Sequence, residues 1–389
     1  MRAHVIGLGG AGGRIVDRLA ADRDHERFLH GVSAFDTDRA ALASLSAVGE
    51  ARRHRFGDTA GGEGLTGDLH AGREIGDAHA DELCRAMDDQ RPSLAEAFVL
   101  VVGLGGGAGG GAAPALAAEL RRLYDTPVYA IGLLPTAPDR QGTVARSTQD
   151  PTQRTGETDP SAATAEPTRP LSEKNAARTL SALSDRTAAV FPFDTDAWLR
   201  RGETLTDARE RINEVITDHV SALFGAGETD GDAVTPQQVL DASDVARAVG
   251  ETGEIAALGY ATQRVDAPES TSSRFGLGRV GSDGAWAVWG GREMWARETG
   301  IRKERRGKSR LAVAEVWDDR SVLVVGGPPA GFNREAIGDG RRWLADETGS
   351  GAILSGDEPV PGSEEVFALV VRSGIDEPDR VRAIRDSIP

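Results

Sequence analysis

Cysteine is almost missing from this 389-residue chain: Cys84 stands alone. No disulfide framework can exist, which points to a reducing compartment. Lysine is nearly as rare, with only Lys174, Lys303 and Lys308, although acids outnumber bases by 61 to 45 for a net charge of −16. A carboxylate-rich surface with so little lysine repels itself in dilute buffer and stays soluble where salt screens it, so a salt-rich cytoplasm is expected. The same deficit of positive charge excludes nucleic acid as a main partner. The one basic run, Arg302 to Arg310, reads as a solvated loop. Long apolar runs are absent too, so no segment reaches the ~18 residues of a membrane span. The first strand-like run begins at Ala3, which leaves no room for a signal peptide. A cytoplasmic protein with no membrane insertion is the expectation.

Glycine, by contrast, is concentrated. One cluster is Gly7-Leu8-Gly9-Gly10-Ala11-Gly12-Gly13-Arg14; the other runs from Gly103 to Gly111 with seven glycines. Each follows a short apolar run (Ala3–Ile6; Ala97–Val102) and precedes an amphipathic stretch. In that strand–loop–helix layout, backbone N–H groups at a helix N-terminus face a phosphate. Gly7, Gly9 and Gly12 alone satisfy the dinucleotide fingerprint G-x-G-x-x-G, with Asp36 at the ribose-binding spacing. An NAD(P)-dependent oxidoreductase is therefore the alternative reading. The second cluster speaks against it: so many glycines lose too much backbone entropy on folding unless close approach requires them.

Strand-like and helix-like patterns alternate from residue 1 to about 200, the mark of a parallel sheet covered on both faces. A 3.6-residue stripe (Ile212, Val215, Ile216, Val220, Leu223) marks a long helix over 205–224, ended by Gly225 to Gly227. Further strands are expected near 255–260, 311–316, 321–325 and 366–371, and helices over 334–346 and 378–387. Two segments, 149–172 and 266–309, lack periodicity and read as loop insertions. The predicted architecture is a Rossmann-like nucleotide domain (1–204), a central connecting helix (205–224) and a smaller α/β C-terminal domain (225–389).

In combination these motifs resemble the tubulin/FtsZ superfamily, and within it the CetZ branch of haloarchaea. Gly105-Gly106-Gly107-Ala108-Gly109-Gly110-Gly111 is similar to the signature G-G-G-T-G-[ST]-G, and the first cluster to the opening loop G-x-G-x-A-G-G. Phe193-Asp194-Thr195-Asp196-Ala197-Trp198, Leu223 to Glu228 and Gly340 to Gly349 match further stretches of that branch. The resemblance implies GTP or GDP between the two loops, with Mg²⁺ accompanying GTP. Nucleotide contacts would come from Gly9, Gly10, Ala11, Gly12, Gly13 and Arg14, from Gly105 to Gly110, and from Asp36, Asp38 and Asp68. Asp139 would touch the ribose; Asn213 and Thr195 would face the base, Asn213 because an amide can both donate and accept. Each has an alternative: Arg14 as the cap of a surface turn, Asn213 as an ordinary helix-surface residue.

The family assembles head-to-tail, and the resemblance makes Asp241 and Asp244 the acids that one subunit presents to its neighbour's nucleotide. Asp241 as a plain N-cap is the other reading. Self-association into protofilaments, or co-assembly with a related paralogue, and a role in cell shape or motility are implied. The departures matter: Ala108 and Gly110 lack the family's two hydroxyls, Thr195 replaces an Asn and Leu69 another. A hydrogen bond to a charged group contributes roughly 1.5–3 kcal/mol, so weak hydrolysis, or a non-hydrolysing regulatory paralogue, is expected.

Overall fold

The computed structural model describes residues 1–22, 25–57, 62–136, 171–228, 236, 238–249, 253–264, 320–329, 334–348, 352–373 and 377–386. Asp139, nearly all of the 149–172 insertion, the 266–309 insertion and the strand expected at 311–316 lie outside them.

The first sheet is built from strands buried on both faces, as parallel strands covered by helices must be. β1 (Ala3–Leu8) and β5 (Val128–Leu134) are buried along their whole length, β4 (Ala97–Gly103) along all but its last residue. With β2 (Leu29–Asp36), β3 (Arg53–Arg55), β6 (Ala189–Asp194) and β7 (Glu254–Ile255) they form the order β3-β2-β1-β4-β5-β6-β7, parallel throughout. The order reverses between β1 and β4. In open α/β sheets such a switch point opens a crevice beyond the carboxyl ends of the strands. The two glycine clusters follow β1 and β4, so both arrive at that crevice.

Helices α1 (Gly9–Ala21), α3 (Leu69–Arg85), α4 (Ala108–Leu123) and α5 (Ser172–Ser184) cover the sheet, with a short α2 (Arg39–Ala43) after β2. α5 starts at Ser172, so the periodic helix begins inside the stretch expected to be insertion. α6 (Leu205–Gly225) is the central helix, opened by a capping box in which Thr204 and Asp207 satisfy each other's backbone donors. Its buried face, including Ile212, Ile216, Val220 and Leu223, joins a core shared with Val322, Val324, Leu369 and Val371 of the second sheet.

That second sheet runs β10-β9-β11-β8: β8 (Ala257–Arg264), β9 (Arg320–Gly327), β10 (Ala352–Pro359) and β11 (Glu365–Ser373). β10 is parallel to β9, and β11 is antiparallel to both β9 and β8. α7 (Ala242–Val249) and α8 (Arg334–Thr348) pack here. Two pieces of the stretch 225–389 belong physically to the first layer. β7 extends the first sheet, and α9 (Asp379–Asp386) buries Val381 and Ile384 in the core of β4, β5, α4 and α5.

Candidate functional site

A cleft of about 370 Å³ opens at the switch point. Gly9, Gly10, Ala11 and Arg14 form one wall and Gly105 to Gly109 the facing one; Asp36 and Asp38 stand at the first wall, Thr195 and Asn213 at the far end. The two glycine loops touch: a Cβ on Gly9 would lie 3.1 Å from the Gly109 nitrogen, and one on Gly109 would lie 2.4 Å from the Leu8 carbonyl oxygen. Gly9 also has φ +70°, a conformation that other residues adopt only with strain.

The helix ends differ in a way that identifies the ligand's charge. The side chains of Asp38, Asp68 and Thr204 cap α2, α3 and α6. α1 and α4 have no side-chain cap and no acid in their first turn. Their orphan N–H groups and positive dipole ends converge on the cleft, as an anion site requires.

Not every glycine serves that purpose. Gly12 and Gly13 are buried and do not line the cleft; a Cβ on Gly12 would sit 2.0 Å from the Val101 carbonyl oxygen, so Gly12 lets α1 lie close on β4. Gly110 does not line it either. A Cβ there would meet the Leu104 carbonyl oxygen and Thr179 Oγ1, each at 3.0 Å, and Thr179 donates a hydrogen bond to the Gly110 carbonyl at 3.2 Å. The hydroxyl expected at 110 therefore has no route to a ligand, whereas Ala108 does line the cleft. Much of the second cluster packs α4 on α3. A Cβ on Gly72 would lie 2.0 Å from the Gly107 carbonyl oxygen, one on Gly111 2.3 Å from the Gly72 carbonyl carbon, and one on Gly76 2.6 Å from the Ala112 Cα.

Among the acids, Asp36 is 4 % exposed, and burial pushes its carboxyl up to about 6, although the backbone N–H groups of Asp38 and Thr37 and the nearby Arg14 pull it down. Arg14 reaches the same corner: its Nη1 is 3.4 Å from where a Gly10 Cβ would be, and Asp36 Oδ2 is 3.8 Å from that point. Asp38 is committed to the N–H groups of Ala40 and Ala41. Asp68 caps α3 through Ala71 and does not line the cleft; the neighbouring Glu63 to Gly67 do, drawn in by the bridge between Asp38 and Glu63. Thr66 holds φ +43° there.

At the far end Asn213 is 9 % exposed, too buried for a helix-surface residue. Thr195 donates to the Leu134 carbonyl at 3.1 Å. The sequence reading missed Thr136, Ser172, Thr206 and Arg209, which also line the cleft. Arg209 was legible in principle, one helical turn before Asn213; Ser172 was hidden in the presumed insertion.

Asp241 and Asp244 lie away from this cleft, at the start of α7, where they cap reciprocally. Asp241 Oδ1 accepts from Ser243 Oγ (2.7 Å) and the Asp244 N–H (2.8 Å), and Asp244 Oδ2 accepts from the Asp241 N–H at 3.3 Å. The Ser243 hydroxyl, followed by the Asp244 N–H, holds the Asp241 carboxyl below its usual range. Asp241 is exposed and its side chain stays ionised at neutral pH.

Among the described residues no cluster of three metal-ligating side chains exists, and no helix is long and apolar enough to cross a membrane.

A parallel sheet with a doubly uncapped switch point, a long connecting helix and a four-stranded second sheet is the build of the tubulin type of nucleotide-binding protein. Residues 2–154 match the GTPase domain of the tubulin/FtsZ family, and residues 202–388 the C-terminal domain of tubulin-like CetZ. Tubulin-like protein CetZ5 of Haloferax volcanii is 32 % identical over 100 % of this chain and 91 % of its own length; CetZ1 of the same organism is 30 % identical over 99 % and 91 %. The solved GDP-bound CetZ1 monomer superposes with a TM-score of 0.74 at 27 % identity, covering 99 % of this chain and 98 % of that one. The GTPγS-bound CetZ2 protofilament of Haloferax volcanii gives 0.73 at 27 %, covering 100 % and 97 %. The chain belongs to the CetZ family of tubulin-like proteins. The oxidoreductase alternative falls with that membership.

Proposed function

We propose that this protein binds GTP and GDP in the switch-point cleft and assembles head-to-tail into protofilaments that act in cell shape or motility. The observation that carries the reading is the pair of helix N-termini, α1 and α4, that face each other across one cleft with neither a side-chain cap nor an acid in the first turn, whereas α2 and α3 are capped by Asp38 and Asp68 and α5 carries Glu173 in its first turn. Phosphates would take the main-chain amides of Gly10, Ala11 and Gly106 to Gly109, and Asn213 would read the base. Arg14 compensates charge near the phosphates. Mg²⁺ would be held by phosphate and water, with Asp36, Asp38 and Glu63 the carboxylates among the described residues that line the cleft; a small divalent ion bound through substrate needs no protein cage. The CetZ relatives solved with GDP, and with GTPγS in a protofilament, support both the ligand and the assembly.

Hydrolysis would need a neighbour, because Asp241 and Asp244 lie outside their own protomer's cleft. The exposed Asp241 carboxylate, with Asp244 beside it on the helix start, is suited to orient water beside a triphosphate held by the next subunit. Ala108 removes one hydroxyl from the phosphate wall, so turnover should be slow. The test is sedimentation in multimolar KCl with GTP, GDP or no nucleotide, scored with phosphate release. GTP-dependent pelleting, with phosphate release abolished by Asp241→Ala, is expected. Equal pelleting in all three conditions would contradict the reading; GTP-dependent pelleting with no phosphate release by the wild type would support a non-hydrolysing regulatory paralogue, and release unchanged in Asp241→Ala would remove Asp241 from hydrolysis.

A further inference from the structure

α9 reaches the wall of the cleft without lining it. Its eight residues follow β11 of the second sheet, yet Val381 and Ile384 are buried with Leu134, Ala176, Ala177 and Leu180 of the first domain. A helix so short is marginal on its own, so its seat is what holds it. Arg380 makes the polar half of that seat. Its Nη2 donates to the Pro135 carbonyl at 3.0 Å and to Glu173 Oε1 at 2.8 Å, and lies 3.9 Å from Asp196 Oδ2. The three partners come from three separate segments of the cleft wall. Pro135 lines the cleft itself; Glu173 follows Ser172 and Asp196 follows Thr195, both of which line it. The contact extends to the glycine loop. A Cβ on Gly105 would lie 2.9 Å from the Ser172 carbonyl oxygen, and Asn175 donates to the carbonyls of Gly67 (2.8 Å) and Gly105 (3.3 Å). Arg380, Glu173 and Asp196 are all half-buried, so salt screens them less than it screens surface pairs.

We propose that Arg380 is a positioning residue for the nucleotide: it seats α9 against three segments of the cleft wall, so that α9 and the bound nucleotide stabilise one another. The proposal rests on the nucleotide reading above. Its test is equilibrium titration of GDP in multimolar KCl against the wild type, Arg380→Ala, Arg380→Lys and Glu173→Ala, each checked by thermal unfolding. Hydrogen exchange of the α9 amides is followed in the wild type with and without GDP. Arg380→Ala should weaken GDP by roughly tenfold, within the 5- to 150-fold typical of coupled sites. Arg380→Lys should keep most of the affinity, because one nitrogen makes both hydrogen bonds and an ammonium can replace it. Coupling is reciprocal, so saturating GDP should slow exchange in α9 by about the factor that Arg380→Ala loses. Glu173→Ala separates positioning from charge. Removing an acid near an anion site should tighten GDP if charge alone matters, whereas loss of the wall contact should weaken it. Tighter binding in Glu173→Ala, or a lower melting temperature with unchanged affinity in Arg380→Ala, would overturn the proposal. Exchange in α9 indifferent to GDP would overturn it without any variant, and so decides the matter should Arg380→Ala not fold. A wild type that binds no guanine nucleotide would sink the nucleotide reading itself, which distinguishes the two failures.

Discussion

Restoring the two missing hydroxyls of the signature loop should give opposite results at the two positions. Ala108 lines the cleft at the first turn of α4, so Ala108→Ser places a donor on the phosphate wall. A hydrogen bond to a charged oxygen contributes roughly 1.5–3 kcal/mol, which is about 10- to 150-fold in affinity. Gly110 faces inward. Its substitution to Ser brings a Cβ within 3.0 Å of both the Leu104 carbonyl oxygen and Thr179 Oγ1, and competes with the bond that Thr179 donates to Gly110. Overpacking of this kind costs ~1–3 kcal/mol, offset in part by the ~1 kcal/mol that replacing a helical glycine returns. Gly110→Ser should therefore lower the unfolding temperature without tightening GTP. Titration of GTP in multimolar KCl, beside thermal melts, reads both quantities. If Gly110→Ser tightens GTP as much as Ala108→Ser does, the orientation derived for the α4 N-terminus is wrong.

Three further outcomes are expected. Gly72→Ala should destabilise the fold by about 3 kcal/mol or more and weaken nucleotide binding with it, because its Cβ would lie 2.0 Å from the carbonyl oxygen of Gly107, the residue that opens α4; a normal melt would contradict this. Asp36, raised by burial from 3.8 to about 6, binds its proton more tightly folded than unfolded, so its contribution to stability declines as pH climbs between those values. Asp36→Asn should then gain up to about 3 kcal/mol over the wild type above pH 6 and nothing near pH 3, measured as the difference between two melting series. Arg27 of the first domain pairs with Glu358 at the end of β10, itself 3 % exposed and pushed up to about 7 by burial. Arg27→Met should cost ~3–5 kcal/mol by leaving that acid alone, and the double change with Glu358→Met should recover most of it; a double variant no better than the single would refute the pairing.

The layout of the fold was readable because its signals are local. Apolar runs closed by glycine and the stripe from Ile212 to Leu223 each lie within a few residues or a few helical turns. What escaped were contacts between distant segments. The glycines from Gly103 to Gly111 read as a single phosphate loop, yet Gly107 and Gly111 are there partly because Gly72 packs on them, and Gly110 because Thr179 does. Nothing near those glycines in sequence says so. Asp68 and Asp38 carry the residue type of a phosphate or metal site, but their carboxylates are spent on helix N-termini, a role that the same spacing serves equally well. β7 and α9 joined the first domain through pairing and burial that come late in the chain and leave no local trace.

The claim on which the rest depends is that guanine nucleotide phosphates lie between α1 and α4. A crystal structure of the protein grown in multimolar KCl with GDP tests it directly. The account predicts phosphate oxygens within hydrogen-bonding reach of the Gly10 and Ala11 amides on one side and the Gly106 to Gly109 amides on the other, with the base against Asn213. Phosphates found elsewhere, or a cleft left empty by saturating GDP, would contradict it.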